Sequence, residues 1–563
     1  MATTESGSLV TRNYQNFRGV DFTNRKDEVS LVRSPDALNM WKNYKNSKGR
    51  CVETRPDIEL VKQFTDTIFG LYFFTYNSST HRIVHSGTNL YDNDKVIYSS
   101  MARHKSQSFV YESKLYIKDG TSYLVYDGTT VKEVEGYIPT TSISRSPSGG
   151  GKTYEDVNLL TGIRKNSFCA DGVDRTYKCD TETFDSGYKV RVWVNDEEVT
   201  EGFTAYTSTA TVIFDTAPTE PDTVGQDNVI IQFKKDIDGY RDKIDKCTLL
   251  EVFDNRVFFA GNPDYPNMLW HCSLEDPTYC SDLDYYKEGM DDSKIKALVS
   301  GNNALWVITN SLVWYHTPTI DDQYGKVYPS THSSIQLGCV STGINFLDDI
   351  VYFSERGLEG MSSDITTEQF ISHRSSFIDS KLLNESEYKN PILEEYMGYL
   401  LVATGNNIYL ADSRKKSTIN EHWEYEWWLW TFNKKITGLK VHNEILYVVM
   451  DKEIYSLTNN NENREVESYF CTIDDEFTRP QYQKTSNKKG AVIDLEGNSI
   501  SVYAKVNNGN YELINKYKET KGYIVPRIKR KKFKSISIKF YSTKPFQLYS
   551  CTLECYIGSY LKR

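Results

Sequence analysis

The sequence contains no run approaching ~18 unbroken apolar residues, so no transmembrane helix is expected. Its first residues, MATTESGSLVTRNYQNFRG, lack an apolar core behind a basic start, and no signal peptide is read there. Long Ala/Leu/Glu-rich stretches are missing, which argues against a helical protein. Cys-x-x-Cys is missing too: the ten cysteines, Cys51, Cys169, Cys179, Cys247, Cys272, Cys280, Cys339, Cys471, Cys551 and Cys555, stand singly. They read as reduced, mostly buried thiols of a protein made in a cytoplasm. Cys272/Cys280 beside His271, and Cys551/Cys555, are at most half of a zinc set, so neither a metal nor a cofactor site is assigned. Catalytic signatures are absent as well. There is no G-x-S-x-G elbow, no H-E-x-x-H and no S-x-D-x-G-x-x-W turn repeat of the sialidase type. Carboxylate pairs are plentiful (Asp291/Asp292, Asp321/Asp322, Asp348/Asp349, Glu394/Glu395), but nothing in the sequence makes two of them converge. No catalytic residue is assigned and the chain is not expected to be an enzyme. Finally, positive charge is not in excess: the formal net charge of −10 argues against a general nucleic-acid binder.

What is abundant is aromatic and β-branched side chains broken by Asn, Asp, Gly and Pro, the pattern of hairpins. The clearest is Phe253–Tyr279, FDNRVFFAGNPDYPNMLWHCSLEDPTY: a strand over Arg256–Ala260, a turn carrying Asn262, Pro263 and Asp264, and a second strand ending near Trp270. Related hairpins start at Leu71, Leu115, Leu305, Ile350, Tyr399 and Ile445. Together with Arg256, the successive spacings are roughly 44, 141, 49, 45, 49 and 46 residues, close to the ~40–50 residue period of four-stranded propeller blades. The long interval reads as one blade plus an insertion of roughly 95 residues. The expected fold is therefore all-β: an irregular β-propeller of about six or seven blades, an inserted β domain and a C-terminal β-sandwich. The expected order is an N-terminal arm and lead-in strand (1–64), the first part of the propeller (65–139), the insertion (140–235), the rest of the propeller (236–460) and the sandwich (461–563). Asn459–Asn463 reads as the linker to that last domain.

Three stretches invite functional readings. Gly149-Gly150-Gly151-Lys152-Thr153 looks like a phosphate loop, but Ser146 stands where glycine is needed and no apolar strand precedes it, so it reads as a flexible linker. The run Trp423 to Trp430, with Trp427 and Trp428 between, could offer an aromatic surface to sugars or unpaired bases. Packing between sheets is the favoured reading, because alternate residues of a strand face opposite ways. The single basic cluster, Arg527, Lys529, Arg530, Lys531, Lys532 and Lys534, is a candidate contact to DNA phosphates or to an acidic partner. Lysine protection of a strand edge is the alternative.

The segment SPDALNMW…KGRCVETRPD at Ser34–Asp57 resembles the opening of tail nozzle (tail hub, packaged-DNA stabilisation) proteins of short-tailed bacteriophages, with Asp57 where that family has glycine. NRVFFAGNPDYPNMLWHCSLEDPTY at Asn255–Tyr279 is similar to the family's hairpin, its Trp-Ser stretched here to Trp270-His271-Cys272-Ser273. Asp348–Gly357, DDIVYFSERG, is similar to a blade of the same family. The resemblance implies a virion protein assembled in the host cytoplasm as a homo-hexameric ring below the portal and adaptor. Such a ring extends the DNA channel, retains the packaged genome and conducts double-stranded DNA without reading its sequence. Tail fibres or a channel plug would be further partners. An acidic channel wall suits passage of phosphates. The rival reading is a sugar- or receptor-binding propeller, such as a tail fibre or lectin, using the Trp423–Trp430 run.

Overall fold

The computed structural model describes residues 7–45, 51–322, 325–363, 369–419, 422–458, 465–528 and 532–560. It is nearly all β, with 54% strand and 2% helix. Two compact units are present: residues 72–338, and residues 1–71 together with 339–563.

Seven four-stranded antiparallel meanders recur along the described residues. In every one, the first two strands are joined by two residues at positive φ: Asn77-Ser78, Glu112-Ser113, Asp254-Asn255, Asn302-Asn303, Leu347-Asp348, Met397-Gly398 and Asn443-Glu444. Two-residue tips with both φ values positive match the right-handed twist of the flanking strands, which is why they close tight hairpins. The chemistry of the tip varies from Asn-Asn to Leu-Asp, so the conformation repeats more faithfully than the sequence does.

In residues 72–338, four meanders follow chain order, and alternate side chains of one strand face different neighbours. Leu115 and Ile117, on the Lys114–Lys118 strand, pack with Phe74, Ile83 and Leu90 of the preceding meander, whereas Tyr116 packs with Phe259 and Trp270 of the following one. The same division places Phe258 and Ala260 against Leu305 and Val307 of the fourth meander. Between the second and third meanders the chain builds a six-stranded sheet running, in spatial order, Lys152–Thr153, Thr140–Arg145, Ile163–Phe168, Val229–Lys234, Arg191–Val194 and Glu197–Val199. A three-stranded sheet (Thr176–Lys178, Thr211–Phe214, Phe203–Tyr206) accompanies it, and Phe168, Tyr177, Phe214, Ile231 and Phe233 form their common core.

The other unit departs from chain order. Its last meander, Gly438–His442, Ile445–Met450 and Glu453–Thr458, takes its fourth strand from Asp57–Gln63. The meander that contains the aromatic run is widened by Gly19–Val20 and Arg33–Ser34. The C-terminal segment, read from the sequence as a sandwich of residues 461–563, forms one ten-stranded hydrogen-bonded sheet that includes Leu9–Gln15, Ala37–Leu38, Met40–Trp41 and Val52–Thr54. Its 25-residue strand Tyr482–Val506 bends through several register shifts, pairing first with Phe546–Tyr560 and then with Ile536–Ser542. A strand that changes partners along its length bends at its register shifts without ending the ladder.

Candidate functional surfaces

The residues that carry the family resemblance converge on backbone groups. Asn39, at φ +55, donates from its side chain to the Glu467 carbonyl (2.8 Å), and its Oδ1 accepts from Arg55 Nε (3.0 Å) and the Thr431 amide (2.8 Å). The Arg55 guanidinium lies 4.2 Å from the centre of the Phe432 ring. Thr54 Oγ1 accepts from the Phe546 amide at 3.2 Å. The Ser34–Asp57 motif is thus a clamp joining the aromatic meander to the C-terminal sheet. In the second motif, Asn262 donates to the carbonyls of Asp242 and Lys243 at 3.0 and 2.9 Å, satisfying the end of the helix Tyr240–Asp245. Gly261 sits at φ +72 against Thr248, where a Cβ would come within 2.6 Å of its hydroxyl. Asp276 accepts from the Thr278 amide at 2.8 Å and hydroxyl at 2.6 Å, and Tyr279 donates to the Asp156 carbonyl at 3.0 Å.

The aromatic run lies on the strand His422–Thr431. Trp427, Trp428 and Trp430 are fully buried, so they do not form an exposed binding surface, and that candidate is corrected. Burial follows from the strand's central place: both of its faces are covered, and Trp430 meets Trp41 edge-on at 5.3 Å. Trp423 alone is partly exposed, and the Arg374 guanidinium stacks 3.5 Å above its ring. Arg374 is itself fully buried; it pairs with Asp349 at 3.0 Å, and Tyr425 donates to the same carboxylate at 2.7 Å. Glu426, equally buried, takes a two-pronged pair from Arg33 at 2.7 and 2.8 Å. Charges taken out of water in this way hold only while paired.

A second charged cluster had no signature in the sequence. His373 joins Glu359 (Nδ1, 3.1 Å) to Asp379 (Nε2, 2.6 Å), and Glu359 Oε2 is buried with no hydrogen-bond partner. Burial pulls the imidazole down, but hydrogen bonds and the charges of Asp379 and Glu359 outweigh it and lift its pKa to about 10. His316 and Glu288 form another buried pair, 2.9 Å apart, with Ser330 donating to the other Glu288 oxygen at 2.7 Å. Burial, helped by the Asp156 and Asp282 charges and opposed by Arg256, raises Asp284 to about 6. Of the carboxylate pairs in the sequence, Asp349 is held by Arg374 and Asp291 by Lys287 at 2.6 Å.

Beside the root of the inserted sheets lies a cleft of about 650 Å³ lined by residues 133–136, 138, 157–163 and 234–242, with Glu133, Asp236, Asp238 and Arg241 among its walls. The Gly149–Gly151 stretch has three consecutive positive φ values and leads into the short strand Lys152–Thr153, not into the helix that a phosphate loop needs. Cys272 and Cys280 bring their sulfurs to 2.8 Å in the core. Among the described residues no group of three or more His, Cys, Asp or Glu is arranged to hold a metal ion.

In the basic cluster, Arg527, Lys532 and Lys534 are exposed, and Lys534 pairs with Glu476 at 3.0 Å. Lys529, Arg530 and Lys531 lie outside the described residues. The cluster borders the strand Glu512–Ile524, which among the described residues pairs on one side only, with Tyr482–Val506.

No family model and no curated protein matches the chain. Solved structures do. Virginiamycin B lyase from Staphylococcus aureus is 10% identical with a TM-score of 0.34, covering 71% of this chain and 99% of its own. BamB from Moraxella catarrhalis is 10% identical with a TM-score of 0.32, covering 71% and 97%. An exo-β-1,3-galactanase from Phanerochaete chrysosporium is 9% identical with a TM-score of 0.21, covering 54% and 94%. The first two are β-propeller-like proteins. The expectation that the chain is not an enzyme is corrected here: a lyase and a galactanase stand among the structures it resembles. At this identity the likeness does not point to any particular reaction.

Proposed function

We propose that this chain is the subunit of a tail nozzle ring in a short-tailed bacteriophage, an irregular β-propeller carrying two additional β regions. One observation carries the reading: seven four-stranded meanders share one hairpin tip, interrupted by an inserted β region and followed by a ten-stranded sheet. An irregular propeller decorated by β domains is what the family resemblance implies, and among the resembling residues Asn39 and Arg55 contact the aromatic meander while Gly261, Asn262 and Asp276 close local turns. The ring extends the channel beneath portal and adaptor, retains the genome and conducts it at ejection. A subunit of net charge −10 supports passage of phosphates without adhesion. Peptide mass spectrometry of purified virions, with antibody labelling under the electron microscope, tests this. The expected result is the chain in stoichiometric amount with label at the tail tip; its absence from virions overturns the reading.

A further inference from the structure

Charge is unevenly divided along this chain. Residues 465–563 hold 18 Lys/Arg against 10 Asp/Glu, whereas residues 171–227 of the inserted region hold 4 against 13. Each segment also contains a strand at the edge of its sheet among the described residues. On the basic side this is Glu512–Ile524, 13 residues long and, among the described residues, paired only with Tyr482–Val506. Its exposed side chains include Lys516 and Lys518 on one face and Lys521 on the other, none with an ion pair among the described residues, alongside Glu512 and Glu519, with the apolar Leu513 and Tyr523 toward either end, 56% and 75% exposed. On the acidic side, Glu197–Val199 is the last strand of the six-stranded sheet, flanked by exposed Asp196 and Glu201.

A long unpaired strand edge is a template for another strand, and lysines on it select against uncontrolled pairing while favouring an acidic partner. Apolar side chains among the lysines suit a protein surface better than a phosphate backbone, whose recognition uses charge and hydrogen bonding. The chain itself supplies an acidic strand edge. We infer that the Glu512–Ile524 edge of one copy docks on the acidic inserted region of a second copy, against Glu197–Val199. The contact is heterologous, joining two different patches, and contacts of this type generate rings or filaments. It does not depend on the nozzle reading, although it would supply that reading with its subunit contact.

The test is self-association of the full-length chain by mass photometry and sedimentation, in low and high salt. Three variants are compared with the unaltered chain: K516E/K518E/K521E, D196K/E197K/E201K, and both sets in one chain. All six positions are exposed, so unchanged circular dichroism and melting serve as the folding control. Each single set is expected to weaken association by about a hundredfold, since like charges face each other across the contact, and the combined chain is expected to recover. Association that is insensitive to both sets, or an unaltered chain that stays monomeric at its highest soluble concentration, overturns the inference. So does a lysine set that changes only binding to double-stranded DNA, which would assign this edge to nucleic acid. Rings that survive both reversals refute this contact and leave the nozzle standing. Recovery by the combined chain in a protein absent from virions does the opposite.

Discussion

Residues 72–338 and the remainder of the chain stack similar meanders but recruit their strands from different distances. In the first unit, each four-stranded sheet is drawn from neighbouring sequence, and the insertion leaves and returns through strands of one sheet, Thr140–Arg145 and Val229–Lys234, which flank Ile163–Phe168. In the second, strands from residues 9–63 are built into three separate sheets, with partners some four or five hundred positions away, as in Leu9 opposite Tyr556. The electrostatics differ as well. Residues 72–338 carry 25 Lys/Arg against 38 Asp/Glu, a net of −13, and the rest carry 41 against 38, a net of +3. The more basic unit also contains the fully buried Arg374 and the two-pronged Arg33–Glu426 pair. Local closure leaves a unit tolerant of change elsewhere in the chain, whereas long-range closure and buried charge make stability hang on a few residues.

The sharpest way to break this contrast is to remove residues 1–63. Three sheets of the second unit then lose strands, and hydrogen exchange there is expected to rise to unfolded rates while residues 105–335 keep their protection. Equal loss in both regions would erase the distinction. Next in size is Asp349→Ala, which strands the buried Arg374 and is expected to cost about 3–5 kcal/mol in denaturant unfolding. Asn39→Ala removes three hydrogen bonds, with the Glu467 carbonyl, Arg55 Nε and the Thr431 amide, the last of which ties the aromatic meander to the C-terminal sheet, and about 2–3 kcal/mol should be lost. An effect as small as that of an exposed substitution would discard the clamp.

Two smaller effects separate the units by pH. The folded pKa of His373, about 10, lies above its ordinary value of 6.5, so its stabilisation is complete below about 6.5 and fades as pH rises through 10. His373→Gln should cost about 1–2 kcal/mol at neutral pH and flatten that slope. Asp284, raised from 3.8 to about 6, works in the other unit and over another range. Ionising it opposes folding, so stability falls as pH climbs from about 4 through 6. Asp284→Asn should then gain about 1 kcal/mol above pH 6 and nothing below pH 4. Tracking each unit's melting against pH distinguishes the two.

Much of the local structure was legible. The strand read at Arg256–Ala260 occupies those same residues in the structure, because a short continuous apolar run between two polar turns fixes where a doubly buried strand begins and ends. The inserted β region, too, was legible, as the long interval between the hairpins at Leu115 and Arg256. The closure of sheets by the N-terminal strands was not. Asp57–Gln63 reads locally as a lead-in, and nothing in seven residues names Glu453–Thr458 as its partner. The aromatic run could be read either way, since a strand sequence gives alternation but not what covers each face; the fully buried Trp427, Trp428 and Trp430 decided it. The His373–Glu359–Asp379 cluster escaped notice because it assembles from two neighbouring strands and a following helical turn, at no diagnostic spacing.

The central claim is that this chain builds a channel-forming ring at a phage tail, and electron microscopy of the purified full-length protein beside the tails of its virions tests it most directly. Six-fold rings with a central channel that superimpose on tail-tip density are the predicted result. A different particle occupying that density, with this chain absent from the tail, would contradict the account.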